Sequence, residues 1–201
     1  MRSSFQHLLG NSRPEPHFSD YTSKTLRLFL EGLELARESR VLDIGSVCGD
    51  NITFFAHRVK KLYICDMFFH LRRDPCEILP PNQVWKHLDY PPQSFNGILL
   101  WNLVDHLDDW EVGRMAELCY DMLKPGGMLL ASLTGKSPVG TIACSFVVKD
   151  GYRLNINPKP DMDLPLHVRS NREVLECLSL FTLVKSFLYQ NGVREYLFQH
   201  D

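Results

Sequence analysis

Val41-Leu42-Asp43-Ile44-Gly45-Ser46-Val47-Cys48-Gly49 decides the architecture of this chain. Its first residues are an apolar run of strand length, ending on an acid and a glycine. Its last residues are a glycine-punctuated turn. Directly after it, Ile52, Phe55, Ala56 and Val59 recur at i, i+3, i+4 and i+7, the stripe of one helix face. A strand that turns through glycines into a helix is the opening unit of a parallel α/β sheet.

The same alternation continues downstream. Leu62 to Cys65 forms a second strand ending at Asp66, and Val84 to Leu88 a third ending at Asp89. Phe95 to Trp101 forms a fourth, almost wholly apolar strand. Such unbroken runs suit strands covered on both faces. Val112, Met115, Ala116, Cys119, Met122 and Leu123 hold one face of a long helix, which Lys124-Pro125-Gly126-Gly127 stops. Met128 to Leu133 is the fifth strand.

Upstream, Ser19 or Asp20 is expected to cap a helix carrying Leu26, Phe29, Leu30 and Leu33. Residues 1–18 are polar, carry Pro14 and Pro16, and read as an N-terminal arm to a domain spanning 19–201. Downstream, residues 134–169 break the period. They are expected to form a substrate-side insert containing a hairpin, Ile142 to Ile156, turned at Asp150-Gly151. The alternative for that hairpin is a dimerisation ribbon, which would make a homodimer. Ser170 and Glu173 make a capping box for a further helix. Phe181 to Tyr189 and Val193 to Phe198, joined through Asn191-Gly192, close the chain as an antiparallel pair.

Length and composition set outer bounds. The chain has 201 residues, 44% hydrophobic and 23% charged, which is ordinary material for one globular domain. Its 22 basic and 24 acidic residues argue against a general phosphate-backbone binder and so against nucleic acid as partner. No apolar run reaches the ~18 residues of a membrane span, and no signal-peptide pattern opens the sequence. None of the six cysteines forms a C-x-x-C pair, and no carboxylate cluster has metal spacing, so no metal is expected. Cys65, Cys119, Cys144 and Cys177 sit among apolar residues and read as buried thiols of a cytoplasmic protein.

The chemistry is expected at the carboxyl ends of the strands. Asp43, Asp66 and Asp89 all end predicted parallel strands, and ligands of open α/β sheets bind there. Glycine at Gly45 and Gly49 lets the turn approach a ligand closely. The helix start beyond it offers unpaired N–H groups to an anion. Asp66, 23 residues after Asp43, suits a carboxylate gripping two ribose hydroxyls. Together these residues describe a site for a nucleoside-containing cofactor.

At this point the sequence resembles the class I S-adenosylmethionine-dependent methyltransferases. The resemblance lies in residues 41–49 (acid-x-Gly-x-Gly-x-Gly in the family), Asp66, Leu88-Asp89 and Ser94 to Leu103 with His106. Leu123 to Leu130 around Pro125-Gly126-Gly127 is its most specific segment. Val47 stands where the family has its middle glycine, and Asn96 where it commonly has aspartate. A dinucleotide-binding fold matches less well, because G-x-G-x-x-G is absent.

The resemblance implies a Rossmann-like, seven-stranded, mostly parallel sheet with helices on both faces and a terminal antiparallel hairpin. It implies S-adenosylmethionine as cofactor. Asp43 and Gly45 would line the methionyl end and Gly49 the helix start. Asp66 would hold the ribose and Met67 pack on the adenine. Leu88 and Asp89 would meet the adenine and its amino group. Trp101 and Asn102 would face the sulfonium and the substrate. No Asn-Pro-Pro-aromatic motif follows the fourth strand and no Pro-Cys nucleophile, so by elimination the acceptor is a small molecule. His106 is the first candidate base, with Asp105, Tyr21 and His167 behind it. The alternative function is a methyltransferase-like binding or assembly protein without chemistry.

Overall fold

A computed structural model describes residues 20–34, 38–71, 84–135, 143–159 and 162–201. The arm expected at 1–18 lies outside them, as do residues 136–142 and 160–161 of the insert.

The short strand β1 (Tyr21–Thr22) leads into α1 (Lys24–Glu34). β2 (Arg40–Asp43), α2 (Gly49–Ala56), β3 (Lys61–Ile64) and α3 (Met67–Leu71) follow. After a 3₁₀ turn at Val84–Leu88 come β4 (Phe95–Leu100) and a second 3₁₀ turn at Asn102–His106. α4 (Asp109–Met122) passes directly into β5 (Leu123–Leu133). β6 (Cys144–Lys149), β7 (Arg153–Pro158), α5 (Asn171–Cys177), β8 (Thr182–Leu188) and β9 (Arg194–Gln199) complete the chain.

The main sheet has the order β3-β2-β4-β5-β9-β8. β3, β2, β4 and β5 run parallel, β9 runs antiparallel to β5, and β8 pairs antiparallel with β9. Alternation along the strands explains why both faces are covered. Leu42, Ile98, Leu100, Leu129 and Ala131 point to one core, with Val112, Met115 and Cys119 of α4 and Val174 of α5. Val41, Leu99, Leu130 and Leu197 point to the other, with Leu26, Phe29, Leu30 and Leu33 of α1 and Phe54 and Phe55 of α2. The strands are thus the middle of three layers. Gly97 on β4 is required by this packing, because a Cβ there would lie 2.5 Å from the Phe29 ring.

Four expectations are corrected. The sheet has six strands among the described residues, not seven, because Val84–Leu88 is a 3₁₀ turn. There Trp85 and Leu88 are buried while Lys86 and His87 are exposed. Buried residues three apart share a side of a 3₁₀ turn, whereas a strand would place one apolar and one polar residue on each face.

The cap of α1 is Ser23, whose hydroxyl accepts from the Leu26 N–H at 2.9 Å. Residues 21–22 instead extend as a strand on β7. On α2 the buried residues are Asn51, Phe54 and Phe55, while Ile52 and Ala56 are exposed, so the inward face is turned by one residue from the expected stripe. Finally, the apolar side chains of the β6–β7 hairpin expected to wall a substrate pocket, Phe146, Val148, Tyr152 and Leu154, do not face an open pocket; Tyr152 is partly buried. Phe146, Val148 and Leu154, with Ile156, are buried in the core shared with α1 and α2.

The Asp150-Gly151 turn of that hairpin is present, with Gly151 at φ +67°. The Ser170–Glu173 capping box opens α5. Cys65, Cys119 and Cys144 are buried, and burial pushes the Cys65 thiol up to about 11. No helix of the described residues is long and apolar enough to cross a membrane.

Candidate functional site

The carboxyl ends of β2, β3 and β4 meet at one place. Asp43 is the last residue of β2, Asp66 follows β3, and Trp101 leaves β4. The Asp43 carboxylate accepts a hydrogen bond from the Trp101 indole Nε1 at 2.7 Å. Burial raises the Asp43 carboxyl to about 7; the indole bond opposes this, and the nearby charge of Asp66 adds to it.

Gly45 lies against the Cδ1 edge of the indole. A Cβ at Gly45 would stand 2.2 Å from Trp101 Cδ1. The close approach that this glycine permits is therefore used by Trp101 itself. One face of the indole stacks on Phe146 of β6, with ring centres 5.6 Å apart and planes inclined by 16°. Trp101 is only 2% exposed.

Asn51 holds β6 in place. Its side-chain nitrogen donates to the Phe146 carbonyl and its oxygen accepts from the Val148 N–H, both at 2.7 Å. A buried amide thereby satisfies the open edge of β6, which explains why α2 turns Asn51 inward. Sequence reasoning missed this residue, although a polar side chain one place off an apolar stripe was a visible signal.

Asp66 is half-buried. One carboxylate oxygen accepts from the Val47 N–H at 3.1 Å and the other from the Phe69 N–H at 2.9 Å. The acid thus caps α3 and ties down the glycine turn. Gly49 begins α2; the preceding Cys48 makes no side-chain capping bond, and nothing lies within 4 Å of where a Gly49 Cβ would be. Met67 and Leu88 are buried core residues. Asp89 is exposed and lines a notch of about 200 Å³ with Trp85, Lys86, Arg114 and Leu118.

Asn102, His106 and Asp105 form a second group, below the end of β5. Asn102 is buried; turned so that both its groups are satisfied, its amide pairs with the Cys144 N–H and carbonyl at 3.2 and 2.9 Å. His106 is 3% exposed. Its Nδ1 donates to the Pro165 carbonyl at 2.9 Å and its Nε2 meets the Asn102 amide at 3.2 Å. Burial lowers its basicity. Nδ1 is thus held by Pro165, and Nε2 faces the Asn102 amide rather than open space.

Asp105 accepts from the Thr134 N–H at 2.7 Å and hydroxyl at 2.9 Å, joining this turn to the end of β5. Arg169, which sequence reasoning did not single out, donates to the Val104 and Leu107 carbonyls at 2.6 and 2.8 Å and pairs with Asp109 at 2.7 Å. It staples the turn from outside. Tyr21, another candidate base, donates to the buried Glu195 carboxylate at 2.8 Å. The backbone N–H of His167 donates to the Asp105 carbonyl at 2.7 Å.

No protein-family model matches the sequence, and no curated protein matches it either. Solved structures do. The structure of a 1,6-didemethyltoxoflavin-N1-methyltransferase from Burkholderia thailandensis, with 1,6-didemethyltoxoflavin and S-adenosylhomocysteine bound, superposes with a TM-score of 0.53 at 18% identity. That match covers 89% of this chain and 79% of the other. The N-methyltransferase NodS from Bradyrhizobium japonicum gives 0.52 at 14%, over 88% and 92% of the two chains. An S-adenosylmethionine-dependent methyltransferase from Mesorhizobium loti gives 0.52 at 14%, over 87% and 96%. The chain has the fold of the class I S-adenosylmethionine-dependent methyltransferases.

Proposed function

We propose that this protein binds S-adenosylmethionine and methylates a small-molecule acceptor. The observation that carries the reading is the meeting of Asp43, Gly45 and Asp66 on adjacent strand ends, beside the uncapped start of α2. The named activity of the 1,6-didemethyltoxoflavin-N1-methyltransferase, which shares the fold, supports a small acceptor.

The residues present fit the nucleoside half of such a cofactor. Asp66 is accessible, and its oxygens already accept two N–H groups, so ribose hydroxyls would replace donors it now has. Asp89 is exposed and able to accept from an adenine amino group. The first N–H groups of α2 suit a carboxylate. S-adenosylmethionine, when bound, supplies a methyl group on a sulfonium that needs no further activation. The chain then has to position the acceptor and keep water out. In this proposal His106 positions the turn after β4 through Pro165 and Asn102, because neither ring nitrogen is open to a substrate proton.

The second reading is a methyltransferase-like binding or assembly protein. The contact of the Trp101 edge with Gly45 favours it, since the protein's own side chain takes the close approach that this glycine would offer a methionyl end.

Calorimetry with S-adenosylhomocysteine tests the first reading. Binding is expected, and Asp66→Ala should weaken it at least about tenfold, because charged hydrogen bonds contribute about 1.5–3 kcal/mol each. An unchanged dissociation constant in a folded Asp66→Ala protein removes Asp66 from the site. Absence of binding to the wild type removes the reading.

A further inference from the structure

The nucleoside half and the methionyl half of the candidate site differ in the structure. On the nucleoside side, Asp66 is half-buried and Asp89 is exposed. At Gly45, which the resemblance assigns to the methionyl side, the Cδ1 edge of the Trp101 indole occupies the close approach that the glycine leaves open. Three constraints keep it there. Its Nε1 is bonded to Asp43. Its face rests on Phe146. Phe146 in turn belongs to a strand whose backbone Asn51 grips at two points. The side chain therefore has a built seat, with a glycine at its Cδ1 edge and an aromatic ring on its face.

We propose that Trp101 decides what this site admits: with the indole seated, the site takes the nucleoside half of the cofactor, and the methionyl half enters only when the indole edge is moved off Gly45. The proposal rests on the nucleoside site described under the proposed function and adds a specificity-determining residue to it. A ligand that requires a minor, open form binds more weakly by the fraction of protein in that form. Adenosine does not need the open form, and S-adenosylhomocysteine does. The methionyl tail should therefore add little net affinity in the wild type and much more once the indole is gone.

The experiment measures adenosine and S-adenosylhomocysteine binding by calorimetry to the wild type and to Trp101→Leu. The wild type should bind the two ligands within about tenfold of each other. Trp101→Leu should tighten S-adenosylhomocysteine at least about tenfold and leave adenosine within about threefold. If Trp101→Leu does not fold, Phe146→Leu removes the stacking partner and should move the same ratio in the same direction.

A direct reading comes from a Trp85→Phe, Trp110→Phe protein, in which Trp101 is the remaining tryptophan. S-adenosylhomocysteine should shift its emission towards that of an exposed indole, and adenosine should not. Wild-type binding of S-adenosylhomocysteine about a hundredfold or more tighter than adenosine, with unshifted emission, overturns the seated indole as a barrier while leaving the proposed function standing. Failure of both ligands to bind every folded protein overturns the nucleoside site and this proposal with it.

Discussion

Replacing Gly45 by alanine puts a methyl group where the indole now lies. The new Cβ would stand 2.2 Å from Trp101 Cδ1 and 3.2 Å from both Trp101 Cγ and Asp43 Oδ1. Ordinary contact begins near 3.4 Å, so the ring must retreat by more than an ångström. It cannot do so without cost, because Phe146 backs it and the Asp43 bond fixes its Nε1 edge. Overpacking of this kind costs about 1–3 kcal/mol. Losing the bond to a buried carboxyl group adds about 1–3 kcal/mol. The restricted unfolded chain returns about 0.4–1 kcal/mol. The net expectation is a loss of about 1–5.6 kcal/mol, read as a lower urea midpoint at unchanged slope, with a red-shifted tryptophan emission. Gly49→Ala is the control: its Cβ meets nothing within 4 Å, and it should be neutral or slightly stabilising. A Gly45→Ala protein within about 0.5 kcal/mol of the wild type, with unshifted emission, would refute the indole's seat.

Asp43→Asn should alter how stability depends on pH. The folded carboxyl titrates at about 7 and the unfolded one near 3.8, so the folded state holds the extra proton between those values. Stability from this group is therefore highest near pH 4 and falls as pH rises to 7, by up to about 4 kcal/mol; the difference between wild-type and Asp43→Asn urea curves should show that slope, and a flat difference would contradict a buried, reluctant acid. Asn51→Ala leaves the Phe146 carbonyl and Val148 N–H without their partner, which should cost about 2–4 kcal/mol and speed exchange of the Val148 amide; unchanged exchange would show the amide is not the clamp. Arg169→Met removes the donors to the Val104 and Leu107 carbonyls and should cost about 2–4 kcal/mol in thermal or urea melts, whereas a loss under about 1 kcal/mol would mean that water replaces the staple.

Much of this architecture is local physics and is legible without coordinates. The apolar runs at 41–44, 95–100 and 128–133 are strands because both their faces are buried, and the α4 stripe holds because its period matches one helix face. Ser170 and Glu173 cap α5 through neighbours three residues apart, a relation any sequence displays. Asp43 and Asp66 stand at strand ends for the same reason: the strands stop where the apolar runs stop. The curl of Val84–Leu88 depended instead on which side chains found cover, and Trp85 and Leu88 found it together on one side.

The content of the site was a tertiary matter. Gly45 announces that something comes close, but only the fold brings Trp101 from 56 residues away to be that thing. Phe146 reaches the indole because the β6 edge is satisfied by Asn51, 95 residues distant from it in sequence. His106 looks like a base in the sequence, and its partner Pro165, 59 residues on, is reached only once the chain has returned over the turn. Periodicity and strand-end acids report where a chain is buried and where it emerges. Which group fills a space is settled by long-range packing, where side chains compete for the same volume and the same hydrogen bonds.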